Sequence, residues 1–381
     1  MIIVLQTIKK DITAKIAVVA FVLFTLWWLL LSRLPNDSIW HGWFAGLYGI
    51  IALWGGINGI LIACKWGGFK STMGKALIAL SVGLILQEFG QLAYSYYISI
   101  LGIDVPYPSI GDAGFFGSIP FYALGVIFLA KAVGVQISFK SFNKKWLSLI
   151  LPVGLLALSY VLFLRGYVPD FSQPFKVFLD FGYPIGQAVY ISIALVTYLL
   201  SRDKLGGVMK NRILFVLGAL LVQYCADSYF LYQASNATWS LSGLSDYLYV
   251  VSYFVMAFAL IQLRTTLKNL RSQNIKSSAE SYGTDVLGSD VTKYEAVILA
   301  IINEQRQILG SVADDIAKSV NGLEYSGLNK VKLTSDPKLA LEDLVKSYSQ
   351  MFGATSVEVS KDALKRTGLN IMTSELPDIL K

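Results

Sequence analysis

The chain has 381 residues, 55% of them hydrophobic and 13% aromatic, with 32 basic and 25 acidic side chains and a net charge of +7. A soluble protein is excluded, because 15% charged residues cannot cover that much apolar surface. The positive excess lies in residues 1–264, with 18 basic and 10 acidic side chains, while 265–381 hold 14 and 15; that split excludes a nucleic-acid footprint and fits lysines and arginines set against anionic lipid.

Eight apolar segments read as transmembrane helices, at about 15–32, 43–64, 75–99, 110–133, 146–164, 176–200, 212–233 and 244–263, near the 20 or so residues that span a bilayer core. Lys9, Lys10 and Lys15 precede the first span. Lys65, Lys70 and Lys75 follow the second, and Lys131, Lys140, Lys144 and Lys145 the fourth. Arg202, Lys204, Lys210 and Arg212 follow the sixth, and Arg264, Lys268 and Arg271 the last. The opposite side holds only Arg33, Arg165 and Lys176. Positive residues stay inside, so both termini are expected in the cytoplasm of a multi-pass cell-membrane protein. The first span follows a basic N-terminus and reads as a signal anchor rather than a cleaved signal.

Cys64 and Cys225 both fall within spans, so no disulfide framework is expected. The single histidine, His41, is assigned to an outer loop; one histidine leaves no paired haem ligands and no cytoplasmic phospho-acceptor. No cofactor and no metal site is expected. Asn36 and Asn236 begin the sequons Asn36-Asp-Ser38 and Asn236-Ala-Thr238, both in expected outer loops, where glycosylation would be possible.

The spans repeat. Asp112, Ser118 and Ala123 of span four align with Asp246, Ser252 and Ala257 of span eight. Gln87-Glu-Phe-Gly-Gln91 parallels Gln223-Tyr-Cys-Ala-Asp227, and Gly182-Tyr-Pro-Ile-Gly186 resembles the stretch around Pro120. The expected unit is a helical hairpin, a device common to sensors and transporters. Pro120 and Pro184 are expected to kink their spans.

Charge within a membrane is costly and marks function. Topology sets Glu88, Gln91, Gln223 and Asp227 at middle to outer depth. Asp112, Asp180 and Asp246 fall near outer helix ends, with Gln187 deeper. Together these eight side chains are the candidate ligand-binding set, accompanied by aromatics such as Tyr94, Tyr107, Phe115, Phe230, Trp239 and Tyr249. Acids beside aromatics suit a cationic or amphipathic small ligand arriving from outside. Asp112 and Asp246 read equally well as helix N-caps, and Glu88 and Asp227 as interhelical hydrogen-bond partners.

Residues 265–290 read as a linker and 291–381 as a small cytoplasmic, mainly helical domain. Its first helix is expected at about 292–320, from apolar positions Val297, Ile298, Ile301, Ile302, Ile308, Val312 and Ile316. A second begins at Asp336-Pro337, an N-cap followed by proline at the first helical position. Val331-Lys-Leu333 reads as a short strand, and 356–367 as a third helix ending at Gly368. No catalytic residues are assigned. The domain is expected to dock a protein partner. The fold class is all-α: an eight-span bundle of repeated hairpins, N-in and C-in, with this domain attached.

Pro106-Tyr-Pro-Ser-Ile-Gly-Asp112, running into an aromatic-rich span with an internal proline, resembles the multi-span sensor-like region ahead of diguanylate cyclase or histidine kinase outputs in bacterial signalling proteins. Gly182-Tyr-Pro-Ile-Gly186 and Ser245-Asp-Tyr247 are similar to its following hairpins. The resemblance covers about 40–264 and implies sensing through the membrane domain. The chain departs from that pattern at its output, with no Gly-Gly-Asp-Glu-Phe run, kinase histidine or ATP-lid glycines. A non-enzymatic sensor or adaptor is therefore expected. An accessory subunit of a larger complex and a cation or small-solute transporter are the alternatives. An intramembrane aspartyl protease is disfavoured because Ser109-Ile-Gly-Asp112 lacks the first glycine of that motif, and an opsin because no lysine falls within the later spans.

Overall fold

A computed structural model of the chain describes residues 7–9, 11–35, 38–132, 142–201, 209–236, 238–276, 290–309, 311–326, 331–369, 372 and 375–381. Its long helices are α1 (Ile12–Leu31), α2 (Ile39–Leu47), α3 (Ile50–Lys65), α4 (Thr72–Ser95), α5 (Ile110–Ala132), α6 (Phe142–Ser159), α7 (Pro174–Ser201), α8 (Lys210–Ser235) and α9 (Leu244–Lys276). Local chemistry starts several of them. The Asp11 carboxylate accepts the Thr13 N–H at 2.9 Å ahead of α1, and Ser71 Oγ accepts the Gly74 N–H at 2.9 Å ahead of α4; each satisfies an N–H that the first turn leaves free.

Seven of the described helical stretches are long and apolar enough to cross a membrane, with α2 and α3 together forming one of them, Ile39–Lys65. The fifth expected span differs: its described apolar helical portion is shorter, Ile150–Leu164. Short π-helical turns, Tyr96–Leu101 and Tyr160–Leu164, extend α4 and α6. Pro120, Pro152 and Pro184 lie within α5, α6 and α7. His41 is not in a loop: it lies in α2 and is buried. Ser38 at the cap position starts that helix ahead of the apolar run, so the helix begins before the expected span.

The helices form a closed ring. Following contacts around it, α3 packs on α4, α4 on α5, α5 on α7, α7 on α8, α8 on α9, and α9 back on α3. Helices α1 and α6 lie outside, against α9 and α7. Small residues permit the closest approaches. A Cβ at Gly55 would meet the Ala257 backbone at 2.7 Å, and one at Gly114 would meet Gly90 N at 2.5 Å. The apolar faces pointing away from the ring, such as Leu23, Leu26 and Leu30 on α1 or Val153 on α6, are exposed, as they are where lipid replaces water.

The C-terminal region holds α10 (Asp290–Leu309), α11 (Ser311–Lys318), β1 (Leu323–Tyr325), β2 (Val331–Leu333), α12 (Pro337–Phe352) and α13 (Ala354–Arg366). Three expectations change. The helix expected over 292–320 is two helices, α10 and α11. The strand Val331–Leu333 has an unforeseen antiparallel partner, Leu323 facing Leu333, so among the described residues a two-stranded ribbon joins the helices. Helix α9 runs to Lys276, into the stretch expected as linker; 277–289 lie outside the described residues. Asp336 caps α12 by accepting the Lys338 and Leu339 N–H groups at 2.9 and 3.0 Å.

Val297, Ile301, Leu341, Leu344 and Tyr348 are buried in this region, in a core continuous with that of the helix ring. The Tyr348 hydroxyl donates to Ala313 O at 2.9 Å, and Gln305 Nε2 donates to Ser356 O at 2.8 Å. Arg306 donates to both Asp314 oxygens. That hydrogen bond raises the arginine further above its ordinary value, while burial and Asp314 raise the Tyr325 phenol.

The region also sits on one end of the helix ring. Gly353, at φ +71°, lies against the Trp66 carbonyl and Gly67, itself at φ +94°. The Thr72 hydroxyl donates to Gln350 O at 3.2 Å, and the Met209 N–H to Ile308 O at 3.1 Å. This end is the domain-side end; the opposite end is the far end.

Candidate functional site

At the far end the ring holds open a cavity of about 780 Å³. Six of the eight predicted residues line it: Gln91 from α4, Asp112 from α5, Asp180 and Gln187 from α7, Asp227 from α8 and Asp246 from α9. Both π-helical turns contribute as well, through Ile98 and Phe163. The walls between the acids are aromatic, among them Tyr94, Phe115, Phe230, Trp239 and Tyr249.

The other two predicted residues stand elsewhere. Gln223 is fully buried behind Asp227; its Nε2 donates to Asp227 Oδ1 at 2.9 Å, and its Oε1 accepts from the Ser252 hydroxyl. Glu88 is buried on another face of α4, against Gly49 at the α2–α3 junction, and its Oε2 has no hydrogen-bond partner. A helix has only one face toward the ring interior. With Gln87 and Gln91 on that face, Glu88 is turned away from it.

The carboxylates are held mostly by tyrosines. Asp227 accepts from the Tyr249 and Tyr190 hydroxyls at 3.1 and 3.2 Å, besides Gln223. Asp112 accepts from the Tyr183 hydroxyl at 2.7 Å, and Asp180 from Tyr107 at 2.8 Å and from Tyr167. Hydrogen bonding to Asp180 raises the Tyr167 phenol, in its loop, to about 12. Neither repeat aspartate is itself the expected N-cap: each is the third residue of its helix, α5 from Ile110 and α9 from Leu244, and reaches back toward the start. Asp112 accepts the Ser109 N–H at 2.7 Å, and Asp246 the Ser242 N–H at 2.7 Å. Each thus ties down a helix start while lining the cavity.

The repeat is visible in hydrogen bonds. In the α4–α5 hairpin, Gln87 Nε2 donates to Ser118 Oγ at 2.8 Å. In the α8–α9 hairpin the equivalent residues, Gln223 and Ser252, are joined as well. Tyr253 of α9 donates to Gln87 Oε1 at 3.1 Å and links one hairpin to the other across the ring. Gln91 accepts from the Tyr48 hydroxyl at 2.8 Å and donates to Ala45 O at 2.7 Å.

Gln187 differs from the rest. It is 5% exposed and lines the cavity, and its Oε1 has no hydrogen-bond partner. Sequence reasoning missed Tyr183, Tyr190 and Tyr48. The spacing of Asp180, Tyr183, Gln187 and Tyr190 was a usable signal, since separations of three and four share a helix face. Of the two sequons, Asn36 lies outside the described residues; Asn236 is exposed at the far end, its Nδ2 donating to Tyr232 O at 2.8 Å. Cys64 and Cys225 are free thiols.

Comparison with protein-family models, curated proteins and solved structures finds no match to this chain.

Proposed function

We propose that the chain is a non-enzymatic integral membrane sensor or adaptor of eight spans, with both termini cytoplasmic and the far end outside. A small ligand entering the cavity alters the packing of the ring, and the C-terminal region passes that change to a protein partner. The observation that carries this reading is one architecture seen from both ends. Helices α4 and α8 both line the cavity, and the C-terminal region meets their other ends, where the Thr72 hydroxyl donates to Gln350 O and the Met209 N–H to Ile308 O. The basic residues flanking the domain-side ends support the orientation. For the eighth span, α6 and its π-helical turn together reach from Phe142 to Leu164, a bilayer-spanning length. The likeness to bacterial sensor-like regions points the same way.

The test is native mass spectrometry of the protein extracted in mild detergent from its own cells. A bound small molecule together with a stoichiometric second protein supports the proposal. Gly353→Val should release that second protein and keep the small molecule, because a Cβ at Gly353 would collide with the Trp66 carbonyl. A bare, solitary chain overturns the reading. The second reading, a cation or small-solute transporter, draws on the acids gathered inside a ring in which two helices, α5 and α7, contain proline. Solute flux in proteoliposomes that Asp227→Asn abolishes would put it in first place, since Asp227 lines the cavity and Glu88 does not.

A further inference from the structure

The cavity carries information about the chemistry of its occupant. Four carboxylates line it, Asp112, Asp180, Asp227 and Asp246, against two bases, Arg165 and Lys176, and both bases belong to the connection between α6 and α7 or the first turn of α7. The interior is therefore the negative part. At about 780 Å³ the space matches an organic molecule rather than a single ion, since small-molecule pockets run to roughly 300–1,000 Å³. The acids are not gathered as metal ligands either: among the described residues no group of three His, Cys, Asp or Glu side chains could hold a metal ion.

Hydrogen bonding narrows the class further. The acids already accept from tyrosines or backbone N–H groups. Gln91 uses both ends of its amide. On this wall the acceptor left without a donor is Gln187 Oε1; it is closed off from the cavity as the side chain stands, and a half-turn of the amide brings it to the surface in place of Nε2. A buried acceptor without a donor is unfavourable, and a hydrogen bond to a charged donor is among the strongest that a side chain forms.

We propose that the cavity takes an organic ammonium ion that keeps at least one N–H. It donates that N–H to Gln187 Oε1, stands in the field of the aspartates, and lays its apolar body on the aromatic wall. The proposal rests on the cavity being a ligand site, as in the function proposed above. Attraction between a cation and aromatic faces would by itself favour a quaternary ammonium as well as a primary one. The unpartnered Gln187 oxygen separates the two, because a quaternary ion has no N–H to give it.

The experiment is isothermal titration calorimetry on the full chain in detergent with three probes: 2-phenylethylammonium, its N,N,N-trimethyl derivative and neutral 2-phenylethanol. The primary ammonium should bind roughly tenfold more tightly than either of the others, the size expected of one hydrogen bond from a charged donor. Gln187→Met should remove the preference over the trimethyl probe, and Gln187→Glu should tighten the primary ammonium. The two variants test the site from opposite directions, and each must keep the unfolding midpoint of the parent. Equal binding of the alcohol overturns the charge requirement, and equal binding of the trimethyl probe overturns the role of Gln187. Silence from all three probes, with a small molecule still retained in the native mass spectrum, overturns the amine class and leaves the receptor reading standing. Silence with a bare chain overturns both.

Discussion

The two repeat hairpins share a hydrogen bond and differ in what surrounds it. In α4–α5 the Gln87–Ser118 bond is flanked by glycines: Gly83 lies under the Tyr122 ring, Gly90 under Phe115, and Gly114 against the α4 backbone. In α8–α9 the equivalent positions are Ala219, Ala226 and Leu248. The first hairpin therefore closes backbone to backbone. The second is held apart by side chains, and the room gained is where Asp227 receives Tyr249 and Tyr190. One hairpin braces the ring and the other gives it a lining; the choice between them was made at a few glycines.

The sharpest way to break this comparison is to give the first hairpin the side chain of the second. Gly114→Leu has nowhere to place its Cβ, and overpacking of this kind costs about 3 kcal/mol; a large drop in the midpoint of denaturing-detergent unfolding is expected. Unchanged stability would mean that the close approach is not needed. The shared bond comes next. Gln223→Leu should cost about 1.5 kcal/mol and Gln87→Leu about 1 kcal/mol in the same assay, typical of buried side-chain hydrogen bonds in membrane helices. Each glutamine makes two side-chain bonds, Gln87 with Ser118 and Tyr253 and Gln223 with Ser252 and Asp227; the loss of Gln223 is larger because it takes a donor from a buried carboxylate rather than from a hydroxyl. Equal losses would say that the aspartate plays no part in holding the second hairpin. Ala226→Gly should be milder, about 0.5–1 kcal/mol from helix propensity alone; a gain in stability would show that the second hairpin is also pressing to close. Smallest is Tyr107→Phe, since its bond to Asp180 is exposed; a change within about 0.5 kcal/mol is expected, as for other surface substitutions.

What could be read from the residues alone followed from length and sign. Apolar runs and alternating lysines marked the spans, because a bilayer imposes both on the local sequence. The repeat showed through Asp112, Ser118 and Ala123 because Gln87 and Gln223 must each reach a serine on the next helix. Ring closure did not show. The pairing of α3 with α9 is a contact between distant segments, and nothing local to Gly55 names Ala257 as its neighbour. The tyrosine that serves each aspartate was hidden for the same reason. Glu88 was expected beside Gln91 in the candidate set, but one helical step turns it toward Gly49 instead. In the C-terminal region, Leu323-Glu-Tyr325 is too short a stretch to read as a strand without Val331–Leu333 beside it.

The closure of the ring has a consequence for how the protein is made. Helix α3 finds its second neighbour, and α1 its main one, only in α9, the last span to leave the ribosome. About 200 residues separate Lys65 from Arg264, which at 5–20 residues per second is on the order of 10–40 s of synthesis. For that interval the side of α3 at Gly55, which later meets Ala257, and the aromatic face of α1, where Trp28 later stacks on Tyr247 and Phe21 on Phe254, have only lipid or the insertion machinery for company. A chain cut short before α9 would leave both faces waiting, and the cell's quality control would have a distinct half-finished shape to recognise.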